Sequence, residues 1–93
     1  MTSLGKKRKN ALKSISSVAS PFHLEVDKVG RGMAVLVNGV IGVAEFSDQS
    51  VTLLISAMKV VITGYGMCIT VYENKSVEIV GRIGRIDYLY DKN

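Results

Sequence analysis

The sequence predicts a mainly β domain, built as a small antiparallel curved sheet or β-roll behind a short basic N-terminal helix. Three observations carry that reading. Apolar residues alternate with polar ones through most of the chain after Pro21, turn-forming residues interrupt the alternation at short intervals, and the first twenty residues follow a different, helical period. A β-solenoid-like stack or a small barrel is the alternative, because Val51, Val60, Ile69 and Val77 begin or centre successive strands at about nine-residue spacing, which suits all of these forms. A solenoid calls for repeats of about 20 residues or more, and only a weak echo between "VVITG" and "VEIVG" is present.

From Lys6 to Ala19 the apolar residues Ala11, Leu12, Ile15, Val18 and Ala19 recur at steps of three and four, with Lys9, Asn10, Lys13, Ser14 and Ser17 on the other face. Ser20 before Pro21 ends this helix, since the residue preceding proline is pushed out of the helical region. The division is therefore a basic amphipathic leader over residues 1–20 and a single β-rich domain over 21–93. A helix of about fourteen residues is marginal in water and needs a surface to dock on.

Beyond Pro21 the strand candidates are Phe22 to Val26, Met33 to Val37, Val43 to Phe46, Val51 to Ile55, Val60 to Ile62, Met67 to Tyr72, Val77 to Val80 and Ile83 to Tyr90. Turns are expected at Gly30-Arg31-Gly32, Asn38-Gly39, Ser47 to Ser50, Gly64-Tyr65-Gly66, Glu73 to Ser76, and at Gly81 and Gly84. Asn38-Gly39 is the strongest hairpin signal, because a type I′ turn needs positive φ at both central residues.

Composition narrows the function classes. With 47% hydrophobic residues in a 93-residue chain, a packed core is expected rather than disorder. The single cysteine, Cys68, has no partner for an internal disulfide, which fits a reducing, cytoplasmic setting. No apolar run reaches the length of a membrane-spanning helix; Met33 to Phe46 comes nearest and is interrupted by Asn38 and Glu45. His23 is the sole histidine, so no catalytic triad or histidine-based metal cluster can form within one chain. Cys68 falls on the strand face opposite Met67 and Ile69 and reads as an ordinary half-buried residue. Gly30-Arg31-Gly32 and Gly81-Arg82-Ile83-Gly84 have the flavour of phosphate loops, but neither carries the full glycine fingerprint or a following helix. The expectation is no enzyme, no catalytic residue, no metal and no cofactor.

Charge supplies the one functional hint. Residues 1–20 hold Lys6, Lys7, Arg8, Lys9 and Lys13 and no acid, whereas the rest of the chain holds seven bases against eight acids. These cations, with Leu12, Ile15 and Val18 on the apolar side, form a candidate membrane- or partner-binding surface in peripheral contact with anionic lipid. The same charges could meet nucleic-acid phosphates, but aromatic residues for base stacking are few. Exposed edges of the predicted sheet would also permit self-association or the addition of a partner strand.

Five segments carry a family resemblance: "GVAEFS" (42–47), "VTLLIS" (51–56), "VVITG" (60–64), "MCITVY" (67–72) and "VEIVGRIGRIDYLY" (77–90). Together they resemble the YabP/YqfC family of sporulation proteins, and the basic leader before a proline is more similar to the YqfC branch. The resemblance implies a non-enzymatic factor of the later stages of spore formation, at the forespore membrane or coat. It also implies a membrane-spanning sporulation protein as partner, with this chain cytoplasmic and peripheral at the mother-cell or forespore membrane. A second pattern, Asn38-Gly39, Gly42, Phe46-Ser47-Asp48, Leu53-Leu54 and Val80-Gly81-Arg82, loosely resembles Sm-like proteins and implies the alternative function, an Sm-like or other small-barrel RNA-binding protein, although the spacing after Leu54 departs from it.

Overall fold

The computed structural model describes residues 22–91. Their alternating pattern forms six strands: β1 (His23–Val29), β2 (Gly32–Asn38), β3 (Gly42–Phe46), β4 (Ser50–Ile55), β5 (Met58–Glu73) and β6 (Ser76–Tyr90). All pairings are antiparallel and the order across the sheet is β1-β2-β6-β5-β4-β3. The expected curved antiparallel sheet is present; the sheet is open, with β1 and β3 at its ends, so neither the closed barrel nor the solenoid describes it. The predicted leader helix lies outside the described residues.

Eight expected strands become six because two supposed turns are bulges. Val60, Ile62 and Gly64 are buried on even positions of β5, whereas Met67 is buried and Ile69 half-buried on odd ones. One extra residue between Tyr65 and Cys68 flips the phase, since Tyr65 faces Arg82 and Cys68 faces Val80. Gly84 does the same on β6, where Ile83 pairs with Gly64 and Arg85 with Thr63. Gly64 to Gly66 and Gly81 to Gly84 are therefore bends inside one long β5–β6 hairpin, not strand ends.

The bends fold the sheet over its own apolar face. β1, β2, the first half of β6 and the second half of β5 make one side; β3, β4 and the remaining halves of β5 and β6 make the other. Val35, Val37, Met67, Val77 and Ile79 come from the first side, Val51, Leu53, Ile55, Val60 and Ile62 from the second, and all belong to one buried cluster. Fully burying such a side chain contributes about 1.5–3 kcal/mol, which makes this cluster the main source of stability. The apolar side chains half-buried around it include Leu24, Val43, Met58 and Ile86.

Asn38-Gly39 is not a hairpin turn. Asn38 ends β2 opposite Ser76, and its side chain accepts a hydrogen bond from the Ser76 hydroxyl at 2.5 Å. Only Gly39 has positive φ, at 95°, and the chain then crosses to the far edge of the sheet instead of returning. The Gly39 and Val40 amides both donate to the Lys75 carbonyl at 2.9 Å, and Ile41 donates to Leu54 at 2.8 Å. The type I′ turn is at Asn74-Lys75, where φ is 51° and 64°. Lysine is a poor residue for that conformation, so Lys75→Gly is expected to stabilise the protein by up to about 1 kcal/mol and raise Tm by a few degrees in a thermal melt. An unchanged or lower Tm would show that chain entropy outweighs the relieved strain.

The remaining turns follow their residues. Gly30 takes φ 56° in the two-residue β1–β2 turn, and the Ser47 hydroxyl accepts the amides of Gln49 at 3.2 Å and Ser50 at 3.0 Å between β3 and β4. Ser56-Ala57 joins β4 to β5 with Ala57 at φ 62°, a turn that the residue types do not announce.

Candidate interaction surface

The bend is built by glycines because backbones meet there without room for side chains. A Cβ on Gly32 would stand 2.5 Å from the Gly81 carbonyl oxygen, and one on Gly81 would stand 2.8 Å from Met67 Cα. One on Gly64 would fall on the Arg82 carbonyl. The loop before β4 clasps the same bend, since the Asp48 and Gln49 carbonyls accept the amides of Met67 at 3.0 Å and Gly64 at 3.1 Å.

Side chains adjoining these glycines are driven outward. Tyr65 is 70% exposed and stands between two shallow depressions, one bordered by Val29, Arg31 and Arg82, the other by Thr63 and Arg85. A third depression shares Arg31 and Arg82 and adds Lys28 and Met33. Lys28, Arg31, Arg82 and Arg85 thus form a basic crescent around the bend, four of the six Lys and Arg side chains among the described residues. Arg85 pairs with Asp87, Nε to Oδ2 at 2.9 Å, and Lys28 Nζ donates to the Gly30 carbonyl at 2.6 Å. Among the described residues Arg31 and Arg82 have no acidic partner within ion-pair distance. Guanidinium groups so placed can take an anionic group in forked hydrogen bonds beside an aromatic ring.

Two Gly-Arg segments supply this crescent. Gly30-Arg31-Gly32 and Gly81-Arg82-Ile83-Gly84 are distant in sequence and become neighbours because β2 pairs with β6 as far as Met33 and Gly81. Their signal in the sequence is arginine flanked by glycine, read singly as an incomplete phosphate loop; the missing step is the pairing that puts both together. The leader residues Lys6, Lys7, Arg8, Lys9, Leu12, Lys13, Ile15 and Val18 lie outside the described residues. Cys68 lies on the strand face opposite the buried Met67, as alternation predicts, but it is exposed rather than half-buried. His23 is a surface residue whose Nε2 lies 3.9 Å from Glu25 Oε2.

Sheet edges complete the surface. β3 is short and bulged at Ala44, and β1 carries Lys28 on the same sheet face as Val35, two devices that discourage strand addition. β6 has a third edge: β2 covers it only to Gly81, leaving Arg82 to Tyr90 paired on the β5 side alone. Tyr88, Leu89 and Tyr90 are 44%, 52% and 74% exposed there.

The YabP family model matches residues 30–93, well over half of the chain. The chain belongs to the YabP family. The matched span begins at the β1–β2 turn and contains every residue of the buried cluster, so the YabP family region includes the core, the glycine bend and most of the basic crescent. Membership points to a sporulation-related protein. Neither the curated proteins nor the solved structures give a match. Among the described residues no helix is long and apolar enough to cross a membrane.

Proposed function

We propose that this chain is a non-enzymatic factor of the later stages of spore formation, a β-rich interaction module working at the forespore membrane or coat. The observation that carries the reading is the YabP family match over the folded core. The bend adds support, since its glycines are placed for close backbone packing and its arginines face outward for recognition. The basic leader, with a proline behind it, favours the YqfC branch and peripheral contact with anionic lipid beside a membrane-spanning sporulation protein.

Each cation near an anionic membrane is worth about 1 kcal/mol, so the five in the leader contribute up to about 5 kcal/mol at low salt. Replacing Lys6, Lys7, Arg8, Lys9 and Lys13 by alanine is expected to release the protein from phosphatidylserine-containing vesicles in a sedimentation assay. Co-sedimentation equal to the parent chain would sink the membrane reading. An immunoblot through growth and sporulation tests the wider assignment: the protein is expected only after commitment to sporulation, and steady levels in growing cells would overturn it.

A further inference from the structure

The bare stretch of β6 is complementary to itself. Its sequence Gly84-Arg85-Ile86-Asp87-Tyr88, laid antiparallel on a second copy about Ile86, sets Arg85 opposite Asp87 and Tyr88 opposite Gly84, each twice. We propose that the Arg82–Tyr90 edge of β6 is the contact of a two-fold homodimer, in which two β6 strands join the two sheets into one.

The backbone is arranged for that pairing. Asp91 donates its amide to the Ala57 carbonyl at 3.0 Å, and no bulge intervenes between Arg85 and Tyr90. Odd positions therefore hydrogen-bond to β5, and Ile86, Tyr88 and Tyr90 turn their N–H and C=O groups to the bare edge. Pairing about Ile86 matches these groups at Ile86 with Ile86 and brings Tyr88 beside Gly84, the bulge residue of β6, which has no partner on β5. No polar group that now serves β5 has to be released.

Side chains select the register. Arg85 and Asp87 share the outer face, where the arginine's Nε is held by its own Asp87 and its terminal N–H groups are left for a second carboxylate. Tyr88 would lie over the exposed Gly84 of the other copy, an aromatic ring covering a strand glycine. Centring the pair on Asp87 would set two carboxylates against each other, which is unfavourable. The register about Ile86 also carries Asp91 of each chain toward Arg31 and Arg82 of the other, the two arginines without an acidic partner among the described residues. A closed two-fold contact uses both copies of the edge and leaves none for further growth.

Sedimentation equilibrium of the full chain across a concentration series is expected to give a dimer. Arg85→Asp and Asp87→Arg each oppose like charges twice, and each should weaken association at least tenfold while leaving the circular dichroism spectrum unchanged. An equimolar mixture of the two variants should recover a dimer, because every like-charge pair becomes an opposite one. In the parent chain, amide exchange at Ile86 and Tyr88 should slow as concentration rises, while that at Leu89 should not respond. A parent chain that stays monomeric to its solubility limit, single variants that dimerise as before, or a mixture that fails to recover would each overturn the two-fold contact.

Discussion

Gly64→Ala is expected to destabilise the domain by more than about 3 kcal/mol and to leave much of it unfolded at 37 °C. The added methyl would coincide with the Arg82 carbonyl, a backbone atom fixed by the β5–β6 ladder, so no side-chain rotation can relieve the overlap. Overpacking of a well-packed site ordinarily costs about 1–3 kcal/mol, and a clash between two backbones belongs at or above the top of that range. At about 0.05–0.15 kcal/mol per residue, some seventy folded residues yield only about 4–10 kcal/mol in total. Gly84→Ala is the internal control: its Cβ would meet nothing nearer than the Thr63 carbonyl oxygen at 3.7 Å, and it should change stability by less than about 1 kcal/mol. Urea titrations of the two variants decide the matter; equal midpoints would mean that the close approach is not the reason for the glycine.

Leu53→Ala and Ile79→Ala should each cost about 2–5 kcal/mol, the transfer free energy of the lost methyl groups plus the cavity they leave. Both side chains are wholly buried, and they come from the two sides that the bend folds together. Ile41→Ala, at a position 61% exposed on the connection between β2 and β3, should cost under about 1 kcal/mol. The same titrations measure this, and a core variant as mild as Ile41→Ala would mean that the cluster does not hold the two sides together.

Most of the strand content was readable because alternation is a local property, and Met33 to Val37 or Val51 to Ile55 show it without interruption. The errors arose where one local signal has two causes. At Gly64-Tyr65-Gly66 the apolar phase slips by one residue beside glycines, which is what a turn and a bulge both produce; only the partner strand distinguishes them. Asn38-Gly39 misled for a related reason. The dipeptide favours a turn geometry, yet β2 is paired on both flanks, by β1 and by β6, and the chain has to leave the plane of that pair. Conversely the true type I′ turn holds lysine, which the tertiary structure imposes against local preference. As for the interaction surface, the leader's charges are plain in the sequence, whereas the crescent depends on residues 31 and 82 becoming neighbours, and nothing local encodes that.

The strand order bears on how the chain assembles. Four of the five pairings join strands consecutive in sequence, and only β2 with β6 brings together distant segments. Hairpins close short loops at little entropic cost, so β3 to β6 can form as a meander, and β1 with β2 as a separate hairpin. The late, expensive event is the docking of that hairpin on β6, sealed by two amides on the single Lys75 carbonyl. Until it docks, the whole free side of β6 is bare, from Ser76 to Tyr90, and Val77 and Ile79 lose the shelter of β2. The β1–β2 hairpin thus waits on the last strand of the described residues, and the flank of β2 that will meet β6 stays open to wrong strand partners until β6 is in place.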